Sequence, residues 1–345
     1  MSPRYAYATL LTDNSFYYGV EALLKSLEAT KTPYPVLLLH TSDVSQSTLK
    51  ALVYKRRKAT ASEDAGTTGK ERKTEQEGIP SSQCPEHTPG RNLHSPTGRK
   101  GVNPVSCSVE RDETRVRTDS DCIEEAERRA SERTSERART GETNEQGICV
   151  IPRLVGSVAY PKAERDTCPV EGWKDCFTKL RVWEQVDFDV IVYVDADCIV
   201  LRPIDDLFLR QPLPAFAPDI FPPDKFNAGV AVLKPDLDEY GKMVAAVERL
   251  PSYDGGDTGF LNAYFSSWYE NAAGARLPFR YNALRTLYHM TYSSRKGYWN
   301  AVKPIKILHF CSSPKPWEQP AKTDLEELWW KVFLTGTVPT DSDIV

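Results

Sequence analysis

Two carboxylates one residue apart, Asp195 and Asp197, close a run of strand-forming residues, Val190-Ile191-Val192-Tyr193-Val194. A continuous apolar run of this kind suits a strand buried on both faces of a parallel sheet. Ligands of open α/β sheets collect at the carboxyl ends of such strands, so the pair sits where a site belongs. Two carboxylates about 5 Å apart repel by roughly 3 kcal/mol at an effective dielectric of ~20. Either one of them holds a proton or a cation lies between them. Hard oxygen donors favour Mg²⁺ or Mn²⁺. Cys198 follows the pair and points away if the strand alternation continues. Taken alone, Asp-x-Asp fits a strand ending in a polar turn equally well.

Four more segments carry groups capable of chemistry. Asn227-Ala228-Gly229 enters a strand, where glycine permits close backbone approach to a ligand. Asp254-Gly255-Gly256-Asp257-Thr258-Gly259 opens a helix and has the composition of a binding loop. His309 ends a strand and is followed by Ser312-Ser313-Pro314-Lys315-Pro316-Trp317, and Lys179 is a cation on the helix before the acidic strand. Each has an ordinary reading when taken singly. A glycine-rich turn is usually only a turn, and a strand-end histidine is usually hydrogen-bonded structure.

The elements that must position these groups alternate along the chain. Ala6–Leu11 reads as a strand, and Thr12-Asp13-Asn14-Ser15 supplies capping residues for a helix whose Val20, Leu23, Leu24 and Leu27 share one face. Pro33 and Pro35 precede a second buried strand, Val36–His40. Order resumes at Cys149–Val155. A helix is predicted over Lys174–Val186, with Cys176, Leu180 and Trp183 on one face and Lys179 and Arg181 off that stripe. Leu201–Phe208 turns into a short helix, Ala228–Leu233 is a strand, Tyr240, Val244 and Val247 mark a helix, and Ile305–Phe310 is the last strong strand. Leu325, Leu328, Trp329 and Val332 share the face of a closing amphipathic helix. This alternation predicts an α/β fold with one mixed, largely parallel sheet.

Residues 55–148 interrupt it. No Phe, Trp or Tyr occurs between Tyr54 and Tyr160, and the tract is crowded with Arg, Glu, Ser, Thr and Gly. It cannot bury enough apolar area to offset an ordering entropy of about 1–2 kcal/mol per residue, and it is predicted to be a disordered insertion. The net charge of -4 argues against a general nucleic-acid binder and gives no sign of a membrane anchor. No apolar run approaches the ~18 residues of a transmembrane helix. No basic and apolar leader precedes the first strand, so export is not expected. None of the eight cysteines forms a Cys-x-x-Cys pair, and free thiols in a reducing, cytoplasmic setting are the expectation.

In this order, Phe177-Thr178-Lys179-Leu180, Asp195-Ala196-Asp197, Asn227-Ala228-Gly229, Asp254-Gly255-Gly256-Asp257, His309-Phe310 and Lys315-Pro316-Trp317 resemble the glycogenin-like retaining glycosyltransferases of family 8. The resemblance covers residues 5–54 and about 149–320. It implies the GT-A fold, a single Rossmann-like nucleotide-binding α/β domain. The first part would lie at 1–54, the insertion at 55–148, the remainder with donor and acceptor sites at 149–320, and a closing helix and tail at 321–345. It also implies transfer of a hexose from a UDP-sugar to an acceptor hydroxyl with Mn²⁺, Mg²⁺ being the other candidate. Asp195, Asp197 and His309 would hold the metal, and Lys315 would add a second positive contact to the phosphates. Leu10, Thr12 and Asp13 would line the uracil and ribose pocket. Lys179, Asn227, Asp254 and Asp257 would meet the donor sugar, with Lys179, Asp254 and Asp257 as the catalytic candidates. A divalent ion neutralises the charge that develops on a departing diphosphate. No residue is an unambiguous nucleophile, which favours a front-side, oxocarbenium-like transfer in which the leaving phosphate helps to accept the acceptor's proton.

The sequence departs from glycogenin in places. After Leu277-Pro278-Phe279-Arg280-Tyr281-Asn282, an ungapped match puts His289 where glycogenin has its self-glucosylated tyrosine; Tyr288 and Tyr292 are near but do not align. Thr258 replaces an amide residue, which leaves glucose, galactose and glucuronate donors open, and the insertion interrupts the region that usually supplies an Arg toward the donor. The chain closes at Val345 with no linker and terminal motif for a glycogen synthase, so that partner is not expected. The acceptor, a glycan, small molecule or protein, stays open, and a homodimer is allowed; nucleic acid and membrane partners are not expected. Two other readings compete. One is a non-catalytic nucleotide-sugar binder. The other is a haloacid-dehalogenase-type phosphatase with Asp195 as nucleophile beside Mg²⁺, which the late position of the motif and Ile199 two residues after it disfavour.

Overall fold

The computed structural model describes residues 3–61, 147–161, 171–220, 224–291, 297–321 and 323–338, with side chains given except at 54–61 and 171–173. A six-stranded sheet forms its centre. Strands β1 (Tyr5–Leu11), β2 (Val36–His40), β3 (Val150–Leu154) and β4 (Val190–Val194) run parallel in the order β3-β2-β1-β4. The sheet is completed by two antiparallel strands beyond β4. After the short strand β5 (Cys198–Val200), the chain returns as β6 (Ala215–Pro218) and β7 (Phe226–Leu233), and β7 lies beside β4. The expected α/β fold with a mixed, largely parallel sheet is the one observed.

The strand-forming runs are apolar throughout because both faces of the sheet are covered. Val190, Val192 and Val194 of β4 join Tyr7, Leu38 and Val230 on one face, while Ile191 and Tyr193 join Ala8, Leu37 and Leu233 on the other. The first face is covered by α1 (Tyr17–Ala29), whose Val20, Leu23, Leu24 and Leu27 are all buried. Each such side chain contributes about 1.5–3 kcal/mol on burial. Asp13 Oδ1 accepts from Ser15 N at 2.6 Å and starts the 3₁₀ turn Asn14–Phe16 that leads into α1.

Two expected boundaries shift. Helix α2 (Gln46–Ala61) continues seven residues into the tract expected to be disordered from 55. Its Leu49 and Leu52 are buried, which anchors the helix before its polar part begins. At the far side Ile148 is also a core residue, and its N–H donates to Glu28 Oε1 at 3.2 Å. Residues 62–146, and the disorder expected there, lie outside the described residues.

The helix expected over Lys174–Val186 is a 3₁₀ segment, Glu171–Glu184. Its three-residue turn aligns positions i and i+3. The apolar stripe is therefore Phe177, Leu180 and Trp183 rather than the predicted one led by Cys176, and Lys179 turns inward and is buried.

The other face carries α3 (Leu237–Ala246) and α4 (Asp257–Tyr264), the latter opened by the Asp-Gly-Gly-Asp loop. A small second sheet forms from β5, β8 (Ala283–Leu284) and β9 (Ile307–His309), with β9 in the middle. The strand expected over Ile305–Phe310 is thus shorter at both ends. Helices α5 (Arg285–Thr291), α6 (Gly297–Ala301) and α7 (Asp324–Thr335) complete the described fold. Glu326 Oε2 accepts from Thr323 N at 3.0 Å to cap α7, and Leu325, Trp329 and Val332 are buried beneath it. Among the described residues no helix is long and apolar enough to cross a membrane.

Candidate active site

Asp195, Ala196 and Asp197 form the joint between the two sheets. Asp195 N donates to Gly229 O of β7 at 2.8 Å, and Phe310 N, just after β9, donates to Asp197 O at 3.0 Å. The two carboxylates leave this joint toward different partners.

Asp195 accepts from the Tyr193 hydroxyl at 2.9 Å and from Lys179 Nζ at 3.0 Å. The same ammonium lies 2.6 Å from Asp257 Oδ2 and donates to Ala228 O at 3.3 Å. Burial alone would lower the lysine pKa; Asp195 and Asp257 outweigh it and hold the group above the ordinary lysine value. Asp257 is displaced upward by burial, which Lys179 only partly offsets. Lys179 therefore ties the strand-end acid to the first residue of α4.

Asp197 faces Lys315 Nζ at 2.6 Å through Oδ2 and His309 Nε2 at 3.2 Å through Oδ1. Burial would raise this carboxyl, but Lys315 and then His309 outweigh it and hold it well below the usual carboxylate range. His309 is opposite Cys198 in the β5–β9 register, which brings the imidazole to the joint. Its other nitrogen, Nδ1, meets Asn282 Oδ1 at 2.8 Å. Gly229 matters here: a Cβ at that position would lie 2.3 Å from His309 Cε1 and 2.6 Å from Nδ1. The expected close approach at Gly229 is real, but it is the histidine ring that approaches.

Asp254 does not reach this centre. Its Oδ1 accepts from Ser252 Oγ at 2.8 Å, Gly256 N at 2.8 Å and Gly259 N at 2.9 Å. With Gly255 in the left-handed region at φ 74°, these bonds shape the loop that delivers Asp257. Thr258 Oγ1 accepts from Ala228 N at 3.2 Å and holds the loop against β7. Asn227 is also committed within the protein. Its Oδ1 accepts from Gly229 N and Asn282 Nδ2, both at 2.9 Å, and its side chain bonds Asp219. Asp254 and Asn227 thus organise the loop and the strand end around the site. Leu10, Thr12 and Asp13 lie at the carboxyl end of β1, next to β4. They share the sheet edge with the acidic pair rather than its contacts.

Among the described residues, one metal-ligating group has its donor atoms within 4.8 Å of one another: Asp197, Cys198 and His309. Of the expected trio, Asp197 and His309 fall in this group, while Asp195 is bonded by Lys179 and Tyr193. Cys198, expected to point away, keeps its sulfur close, although burial, then Asp197 and Asp195, push its thiol well up and keep it protonated. The hydrogen bonds around His309 show which of its nitrogens faces the acid and which faces Asn282. The Gly229 N–H fixes Asn227 Oδ1, which forces Asn282 Nδ2 toward it and Asn282 Oδ1 toward His309. Nδ1 must then carry a hydrogen, and in the neutral ring Nε2 presents its lone pair to an anionic oxygen 3.2 Å away. The same contact serves an imidazolium that donates Nε2–H to Asp197; with the ring neutral, an imidazole nitrogen facing a carboxylate suits a divalent metal.

Asn282, Tyr193 and Arg285 are site residues that the sequence reading did not single out. For Asn282 the signal was a polar residue beside the apolar pair Ala283-Leu284, a position where a buried amide must find partners.

Comparisons with known proteins bear on the family and the fold. The family model for glycosyl transferase family 8 matches residues 214–321. Glycogenin-1 of Mus musculus is 36% identical over 179 residues, covering 47% of this chain and 53% of the relative. Glycogenin of Neurospora crassa is 38% identical over 165 residues, 46% of this chain and 23% of that protein. The chain thus spans about half the length of the mouse relative, and less of the fungal one. The glycosyltransferase GlyE of Streptococcus pneumoniae TIGR4 superposes with a TM-score of 0.53 at 16% identity, over 96% of this chain and 61% of that one. The galactosyltransferase LgtC, solved with donor and acceptor sugar analogs, gives 0.50 at 15% identity over 98% of both chains. These two likenesses speak for the fold alone. Sequence relatives and fold point the same way: the chain carries a glycosyl transferase family 8 domain, is similar to the glycogenins and has the GT-A fold.

Proposed function

We propose that this chain is a retaining glycosyltransferase that moves a hexose from a UDP-sugar to an acceptor hydroxyl with Mn²⁺. The observation that carries the reading is the opposition of His309 Nε2 and Asp197 Oδ1 at 3.2 Å, beside the Lys315 ammonium at 2.6 Å. Asp197 and His309 would hold the ion, with Asp195 adjoining. Bound there, a divalent ion supplies charge neutralisation for the departing diphosphate. Lys315 brings a second, protein-borne positive charge to the same side. Leu10, Thr12 and Asp13 are proposed to meet the uridine at the neighbouring strand end.

On the sugar side, Lys179 donates and Asp257 accepts, which matches the hydroxyls of a hexose. No carboxylate here stands free as a nucleophile: Asp257 is paired with Lys179 and Asp254 Oδ1 is spent on its own loop. This supports attack on the face that the diphosphate leaves. Asp195, gripped by Tyr193 and Lys179, offers little to the rival phosphatase chemistry.

The test is incubation of the full chain with a panel of UDP-hexoses and Mn²⁺, followed by UDP release and intact mass. Mn²⁺-dependent UDP release that Asp197→Asn abolishes is the expected result, and a hexose increment in mass would identify self-glycosylation. UDP binding without release from any donor would establish a nucleotide-sugar binder instead.

A further inference from the structure

We infer that Asn282 and Arg285, three residues apart on one segment, are positioning residues that set the two groups facing the diphosphate: Asn282 fixes the tautomer of His309, and Arg285 fixes the loop that carries Lys315. The inference rests on the proposed metal and UDP site and names what holds that site in shape.

Asn282 is fully buried and every polar atom of its amide is directed. Its nitrogen donates to Asn227 Oδ1 at 2.9 Å, an oxygen already oriented by the Gly229 N–H. Its oxygen must therefore accept from His309 Nδ1 at 2.8 Å. A neutral imidazole has one hydrogen, and holding it on Nδ1 leaves Nε2 free to ligate. Without this acceptor the ring can place its hydrogen on Nε2 and donate to Asp197 Oδ1, which would fill the ligand position with a proton.

Arg285 follows directly on β8, whose Leu284 pairs with His309. Its guanidinium is buried over the Phe310 ring, 5.4 Å from the centroid. NH2 donates to Ser312 O at 2.8 Å, Ser312 Oγ at 2.7 Å and Pro314 O at 2.9 Å, and NH1 pairs with Glu326 Oε1 at 3.1 Å. Lys315 is the next residue after this clamp. A planar fork of five donors can satisfy such a set, whereas a lysine ammonium cannot reach them together.

The experiment uses the full chain and binding readouts. Mn²⁺ affinity is measured by electron paramagnetic resonance of the free ion. UDP and uridine affinities are measured by calorimetry without metal. Asn282→Ala should weaken Mn²⁺ binding about tenfold or more, with uridine affinity unchanged. Asn282→Leu is close to Asn in size but offers no acceptor for Nδ1, and should weaken Mn²⁺ binding as much as Asn282→Ala, which a packing role alone would not do. Arg285→Lys should cost about tenfold in UDP affinity and leave uridine and Mn²⁺ affinity unchanged, because it loosens only the phosphate-facing loop. A direct reading needs no substitution: ¹⁵N shifts of the chain's five histidines assign the His309 tautomer. An Nε2–H tautomer in the metal-free protein, unaltered Mn²⁺ affinity in Asn282→Ala, or parallel losses of UDP and uridine in Arg285→Lys would each overturn the corresponding arm. If the unsubstituted chain binds neither Mn²⁺ nor UDP, the proposed function fails with it.

Discussion

Lys179 illustrates how much one side chain settles at the residue scale. Its ammonium is buried between Asp195 and Asp257, carboxylates that enter from β4 and α4, so one positive charge offsets two negative ones. Removing one partner from a buried ionic set leaves uncompensated charge, which typically costs about 3–5 kcal/mol. Lys179→Met should therefore lower unfolding free energy by about 3 kcal/mol in urea denaturation, the low end of that range, since Asp195 is partly exposed. Adding Asp257→Asn should recover part of the loss, because it removes one stranded carboxylate while keeping its shape. Additive losses in the double variant would show that the lysine acts through packing alone. The sequence placed Lys179 near the acids but off the apolar stripe; the 3₁₀ winding of Glu171–Glu184 is what turns it inward.

At the scale of elements, legibility followed the length of the apolar pattern. Val190–Val194 could be read as a buried strand because all five residues face core on one side or the other, and Val20, Leu23, Leu24 and Leu27 could be read as a helix face for the same reason. The small sheet was legible only in part. Ile305–Phe310 was read as a strand, but β8, two residues long, carries too few positions to show a period, and the register of β9 against β5 and β8 is what brings His309 to Asp197. The roles of Asn282 and Asn227 are set by partners from other elements, and propensity holds no information about those. Gly229 shows the same limit, since the close approach was foreseen but its partner was not. Gly229→Ala puts a methyl within 2.3 Å of the His309 ring, in a strand where the backbone cannot retreat from β4. The ring must swing away from Asp197. Mn²⁺ affinity should fall by about tenfold, with the far-UV spectrum unchanged, as expected for a displaced metal ligand. Mn²⁺ affinity equal to the parent's would place the metal away from His309.

At the scale of the whole molecule, the described fold draws its sheet from both sides of residues 62–146. Strands β1 and β2 precede that tract, and β3 joins the sheet directly after it. Both flanks are anchored in the described core: Leu49 and Leu52 of α2 on one side, Ile148 with its bond to Glu28 on the other. The tract itself contains no Phe, Trp or Tyr, so it has few residues with which to extend a core. All the site residues named above lie outside it, at Leu10–Asp13 and from Lys179 onward. Deleting 62–146 and joining Ala61 to Gly147 through a short Gly/Ser linker should therefore preserve both folding and UDP binding. Loop closure favours the shorter chain by about 0.6 kcal/mol for each halving of the loop, so a gain of about 1–2 kcal/mol is the upper expectation. The cut must spare α2 and Ile148; a deletion reaching into either would expose core residues and should destabilise by an amount typical of lost apolar burial, about 1.5–3 kcal/mol per side chain. Thermal unfolding and UDP affinity of the two chains decide the matter. A shortened protein that unfolds well below the full chain, or that loses UDP, would show that 62–146 contributes packing or contacts that its composition does not reveal.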